Sequence, residues 1–268
     1  SRSPQKAAKV LPDNAKVKAN ATDFIDEHPE AIVNLAGEPI AEGRWTASKK
    51  KELLESRINA TREIVAFCKA AEPSPRVLVS ASAVGYYGDQ GDAVVTEETP
   101  PNDEFAHQLC ERWEAEALQA EGLGVRVAIV RIGLVLDNGG GMLSKTAPLF
   151  KLGLGGKLGD GTQYMPWIHR DDMVGAIRFL IENDGLAGAF NASAPNPVTN
   201  AEFTKTLGAA LGRPTVLPAP AIALKAAFGE MSRLLLTGAR MKPARLQAAG
   251  FEFRFTELEQ ALSQIYGS

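Results

Sequence analysis

The side chains best able to do chemistry lie just past short apolar runs. Ser82 follows Val77-Leu78-Val79-Ser80, where a hydroxyl can meet a substrate carbonyl or alcohol. A serine there is equally a turn former. Tyr86 and Tyr87 come soon after, each a phenol that can donate a proton or pack a pocket wall. His107 and Cys110 are three apart on a predicted helix and share a face. Such a pair can supply an acid or a thiolate; the alternative is a small buried apolar cysteine and a histidine making one polar contact. Glu38, Arg44 and Trp45 can line a substrate side, although arginine beside indole also reads as surface stacking. His169, Asp171 and Asp172 open a helix of apolar spacing (Met173, Ile177, Leu180, Ile181), and the carboxylates are expected to cap it rather than catalyse. His28 receives no role, and three scattered histidines make no metal site.

The elements that must position these groups alternate. Ser3-Pro4 opens a first helix to about Val10, with proline at its first position. Residues 31–35 read as a buried strand. From 46 to 71, Leu54, Ile58, Thr61, Val65 and Cys68 recur at helical spacing, and Pro73 and Pro75 end the run. Strand 77–80, a helix over 104–121 and a branched run over 125–130 follow. Short apolar strands between long helices imply a doubly wound α/β fold: a parallel sheet with helices on both faces. Ligands of such sheets bind at the carboxyl ends of the strands. The candidate segments are therefore Leu35-Ala36-Gly37-Glu38, Ser80-Ala81-Ser82-Ala83 and Arg131-Ile132-Gly133-Leu134. Five glycines crowd positions 153–161, a late helix ends at Gly250, and the tail from Pro218 reads as a small helical cap. The expected division is 1–217 for the nucleotide-binding domain with part of a substrate lobe, and 218–268 for a small helical C-terminal domain.

The 268 residues are 45% hydrophobic and 23% charged, with a formal net charge of −3. That sum gives no bulk electrostatic reason to expect nucleic acid or an anionic membrane as partner. Two cysteines form no disulfide framework and suit a reducing, cytoplasmic setting. The longest apolar stretch, 125–136, is broken by Arg126 and Arg131 and falls short of a bilayer span. A small-molecule substrate is the expected partner, with the oligomeric state open.

Several longer motifs carry a resemblance. Asn34-Leu35-Ala36-Gly37, the run Ser80 to Gly88, and Trp167-Ile168-His169-Arg170-Asp171-Asp172 fall in the order seen in extended short-chain dehydrogenases/reductases. Gly37-Glu38-Pro39-Ile40, Arg44-Trp45, the helix carrying Phe105, His107, Cys110, Trp113 and Glu114, and Lys151-Leu152-Gly153-Leu154-Gly155-Gly156 are similar to one atypical branch. That branch is labelled nucleoside-diphosphate-sugar epimerase or SulA-type, has a characteristic C-terminal domain, and is matched over nearly the whole chain. The resemblance implies a Rossmann-like fold binding NADP (NADPH). It places Arg2, Leu35, Ala36, Gly37, Arg57, Ser80, Ala81, Cys110, Arg131, Gly133 and Leu134 at the cofactor. It also places Glu38, Arg44, Trp45, Tyr86, His107 and Trp167 at the substrate, and Ser82, Tyr87, Cys110 and Arg57 in catalysis.

Two departures qualify what the resemblance implies. No GxxGxxG precedes Asn34, so the expected first strand–helix–strand and its phosphate-cradling turn are missing. The chain then reads as a truncated NADP-binding protein; taken as complete, it would bind the dinucleotide with severely reduced affinity. The family's Tyr-x-x-x-Lys is also not intact. Ala106 stands at the tyrosine position and Cys110 at the lysine position, while Arg57 replaces an active-site asparagine. The expected function is an atypical NADP-dependent oxidoreductase or epimerase-like enzyme acting on a small polar carbonyl or alcohol, with a nucleotide sugar suggested by family name alone. The alternative is a non-catalytic NADPH-binding or regulatory protein.

Overall fold

The computed structural model describes residues 3–267. Its centre is a four-stranded parallel sheet of β1 (Ala31–Asn34), β2 (Val77–Ala83), β3 (Arg126–Ile132) and β4 (Gly188–Ala192), in that spatial order. β2 and β3 are buried on both faces, which is why their sequences run almost without polar interruption instead of alternating.

Two helices, α1 (Ala47–Ala70) and α2 (Phe105–Leu118), lie together on one face. Thr46 caps α1 by accepting the Lys49 N–H at 3.2 Å. Leu53, Arg57, Thr61 and Cys68 recur on its buried stripe. There Cys68, Leu78, Val127 and Ile129 form a core with Ala117 of α2. The opposite face packs against α3 (Arg170–Glu182) through Val77, Val79, Val130, Met173, Ala176 and Leu180.

The cap of α3 differs from the expected one. His169 supplies it, its Nδ1 accepting the Asp171 N–H at 3.1 Å. Asp171 turns to Arg170, and buried Asp172 accepts the backbone N–H groups of Arg254 and Phe255 at 2.9 and 3.0 Å. The carboxylates had a better use than capping, since two backbone donors from the C-terminal segment need partners when buried there.

Three two- or three-residue ladders brace the periphery, joining 134–136 to 167–169, 164–165 to 198–199, and 94–95 to 240–241. Past residue 218 the chain forms short helices, one closing in a Schellman turn: Phe251 N–H donates to Leu246 and Gly250 N–H to Gln247, with Gly250 at φ +88°. No helix among the described residues is long and apolar enough to cross a membrane.

Candidate active site

Parallel register places Ser82 beside Arg131, and Arg131 beside Asn191, so one polar row crosses β2, β3 and β4 near their carboxyl ends. Glu114 of α2 closes over the row. Ser82 Oγ donates to Glu114 Oε1 at 2.6 Å. Arg131 forks onto the same carboxylate, Nε to Oε1 at 3.0 Å and Nη2 to Oε2 at 2.9 Å. Its Nη1 donates to the Tyr87 hydroxyl at 3.1 Å, and that hydroxyl donates to Asn191 Oδ1 at 2.6 Å. The guanidinium carbon stands 3.3 Å from the Tyr86 ring centroid. Every member of the row is buried, so this fork is a desolvated ion pair held by geometry and supporting hydrogen bonds.

The expected site residues divide between this row and other places. Cys110 lies under it, its Sγ 3.8 Å from the Ala83 carbonyl. Burial pushes its thiol up to about 11 and the Glu114 charge adds to the rise, so the sulfur is protonated near neutrality. His107 Nδ1 is 2.8 Å from the Tyr86 carbonyl, and its ring packs edge-on against Tyr86. The histidine and cysteine thus share a helix face while each meets a different carbonyl. Burial likewise pushes Tyr87 up to about 12. With its hydroxyl both donating and accepting inside the row, Tyr87 has no proton turned toward a substrate.

Arg57 is buried on α1. Nη1 donates to the Leu53 carbonyl at 3.0 Å, the guanidinium lies 5.1 Å from the Trp113 ring, and Nε has no partner. A side chain at Gly37 would come within 3.1 Å of that guanidinium, so glycine lets the turn after β1 lie close against Arg57. Burial is the main influence on this arginine and lowers its pKa. Asn34 joins the neighbouring framework, donating to Thr61 Oγ1 at 2.9 Å while Trp113 donates to the same oxygen at 3.0 Å.

Leu35, Ala36 and Gly37 lie exposed beyond β1, where a ligand can reach them. Ser80 is fully buried with its Oγ unpartnered, and Ala81 packs with Leu53 and Ala106. Gly133 has a steric reason for being glycine: a Cβ there would meet the Pro166 carbonyl oxygen at 2.4 Å. Leu134 pairs with Trp167 in a short ladder. Trp167 itself is fully buried, its indole N–H donating to the Asn196 carbonyl at 3.1 Å, in a core that excludes the row. It is set apart from the other expected substrate contacts by that packing. Arg44 donates to the carbonyls of Ala226 and Ala227 at the end of helix Ala221–Phe228, and Trp45 is buried edge-on to Phe105. Glu38 pairs with Lys49 at 3.5 Å. Arg2 lies outside the described residues.

Glu114, the hub of the row, was not among the expected site residues. Its signal was an acid on a predicted helix, three residues after glutamate and one after tryptophan, and Glu116 of the same helix is buried too. Nothing local distinguishes it from Glu111, which is exposed. A cavity of about 80 Å³ is lined by Trp45, Gly85, Ala106, Glu104 and the C-terminal residues Arg233 and Thr237, and no residue of the row lines it. A larger hollow of about 380 Å³ flanks β1 near Phe24, Ile64 and Phe67 and shares no residue with the row.

The family described as NAD dependent epimerase/dehydratase matches residues 9–193, and a domain of unknown function, DUF1731, matches residues 219–265. The chain is 42% identical over 252 residues to epimerase family protein Mb2239 of Mycobacterium bovis, covering 94% of this chain and 82% of that protein. It is 43% identical to the chloroplastic epimerase family protein SDR39U1 homolog of Arabidopsis thaliana, covering 88% and 68%. The crystal structure of human epimerase family protein SDR39U1, isoform 2, with NADPH superposes at a TM-score of 0.85 with 38% identity, covering 88% of this chain and 81% of that one. The sheet and its flanking helices are thus of Rossmann-like type, and the chain belongs to the NAD dependent epimerase/dehydratase family.

Proposed function

We propose that this protein is an atypical NADP(H)-dependent oxidoreductase or epimerase-type enzyme for a small polar alcohol or carbonyl, with Ser82 as the residue that receives the substrate oxygen. The observation that carries the reading is the 2.6 Å bond from Ser82 Oγ to Glu114. With its proton committed to a carboxylate that Arg131 holds rigid, the serine oxygen offers lone pairs to a substrate hydroxyl and orients it.

The residues present fit the redox end of a dinucleotide. Leu35, Ala36 and Gly37 are accessible at a strand end, and Arg57 brings a cation with an unpartnered Nε to the same end of the sheet. Human SDR39U1 was solved with NADPH, which supports NADP(H) over other nucleotides here. No GxxGxxG run precedes Asn34. When bound, the dinucleotide supplies hydride exchange. Arg57 then furnishes positive charge, Ser82 positions the oxygen, and Cys110 packs as a neutral thiol at the position where the Tyr-x-x-x-Lys pattern would put its lysine. Ala106 leaves no phenol, and the cavity of about 80 Å³ that it lines has room for water.

A non-catalytic NADPH-binding role is the second reading, favoured by the saturated Tyr87 and Arg131. Ser82→Ala separates the two. Under the enzymatic reading it lowers turnover of NADP+ with an alcohol panel about 10²-fold or more and leaves dinucleotide affinity nearly unchanged. Full turnover by Ser82→Ala with a genuine substrate removes Ser82 from catalysis. Titration of NADPH without turnover by either protein supports the second reading.

A further inference from the structure

Charge is not spread evenly over this molecule. Residues 141–159 and 203–229 contain Lys145, Lys151, Lys157, Lys205, Arg213 and Lys225, and not one aspartate or glutamate. In a chain of net charge −3, six positive charges are therefore gathered on two segments. The segments also meet in space. Leu217 N–H donates to the Gly155 carbonyl, Ala219 N–H to Lys157, and Gly159 N–H to Ala219, while Arg213 Nε donates to the Lys151 carbonyl at 2.8 Å.

On this joined surface the large apolar side chains stand outward. Leu152 and Val216 are each 73% exposed and Ile222 is 80% exposed, with Leu149, Leu154 and Leu217 around half exposed. Helix Ala221–Phe228 reads Ala-Ile-Ala-Leu-Lys-Ala-Ala-Phe and buries none of its residues. A helix apolar on nearly every side is ordinarily covered, and exposed apolar surface rimmed by charge marks an interaction site. Of the cations, Lys145 shares the acid Glu42 at 3.4 Å, and Lys157 turns to the Asp160 carbonyl with that residue's carboxylate near it; Asp160, Glu202 and Glu230 border the two segments.

We propose that this apolar, cationic face docks on the surface of an anionic lipid bilayer. Two features select that occupant. A second copy of the chain, meeting face to face, would set six positive charges against six, because a twofold contact apposes the same patch. Side chains as exposed as Leu152, Val216 and Ile222 can enter a fluid headgroup boundary without a matching pocket, while the surrounding lysines and arginine attract acidic headgroups. The whole-chain charge hides this, because an acidic remainder cancels the local field. This docking does not depend on the catalytic reading.

Flotation of the 268-residue chain with vesicles of equal phosphatidylcholine and phosphatidylglycerol tests it, beside vesicles of phosphatidylcholine alone. Binding is expected only with the anionic vesicles, weakening as salt rises. Lys151→Ala and Arg213→Ala should each lower the partition coefficient roughly fivefold. Leu152→Ser with Ile222→Ser should lower it further while the thermal midpoint stays put, since both side chains are exposed. If the apolar variant unfolds, the two charge variants decide. Overturning outcomes are no binding to anionic vesicles at low salt, binding that none of the variants changes, or a dimer in solution that Ile222→Ser dissociates.

Discussion

At the scale of single residues, the row built on Glu114 shows how burial sets protonation. The carboxylate receives three hydrogen bonds from two partners, so removing either Arg131 or Glu114 alone would strand a buried charge. Cys110 and Tyr87 have the opposite character, being neutral groups whose burial disfavours their ionised forms. Their folded values of about 11 and about 12 stand above the ordinary 9.0 and 10.0. A raised acid contributes stability below its unfolded pKa and loses it as pH climbs through the folded one. Cys110 thus withdraws its share between pH 9 and about 11, and Tyr87 between 10 and about 12. Each share is about 3 kcal/mol by the usual conversion. Urea unfolding should give flat stability from pH 7 to 8.5 and a steep decline above pH 9.5. Stability unchanged to pH 11 would contradict the burial assigned to both groups.

At the scale of elements, Gly133 links β3 to the short ladder that follows it. Its N–H donates to the Ala192 carbonyl at 3.0 Å, and the Pro166 carbonyl lies where a side chain would begin. Gly133→Ala must push these strands apart or twist the ladder, which should cost about 1–3 kcal/mol and be visible as a lowered thermal midpoint. An unchanged midpoint would show that the 166 turn yields freely. Much of this level was legible beforehand. The strands at 31, 77 and 126 and the long helices declared themselves by apolar runs, spacing and the Pro73–Pro75 stop. The two-residue ladders did not, because pairs such as 94–95 with 240–241 are specified by distant packing rather than local propensity. The polar row was half legible. Ser82 and Arg131 were visible as strand-end residues, but their union through Glu114 depends on how α2 lies across the sheet. The α3 cap was misjudged for a related reason: Asp172 has partners more than 80 residues away.

At the scale of the whole molecule, the two sequence matches meet in a gap between 193 and 219, yet the packing does not respect that division. Leu246 completes the core between the sheet and α3. Met231 joins Trp45, Leu53 and Trp113 next to the polar row, and Met241 with Ala239 closes around Tyr87. Leu258, Ala261 and Leu262 pack with Trp167 and Phe203. Asp172 holds the backbone at 254 and 255, and Asn191 Nδ2 donates to the Lys242 carbonyl. Among the described residues, the last fifty positions therefore act as keystones in four separate cores and show none of their own. Calorimetry of the whole chain should show one cooperative transition rather than two. Removing residues 219–268 should expose Val77, Trp113 and Tyr87 at once, a loss no rearrangement of the remaining sheet can offset, because each core loses a different filler. That shortened chain is expected to keep far-ultraviolet helical signal while losing near-ultraviolet aromatic signal and binding a hydrophobic dye. A sharp unfolding transition in the shortened chain, with its aromatic signal intact, would establish instead that residues 3–218 fold alone and that the C-terminal segment is only laid upon them.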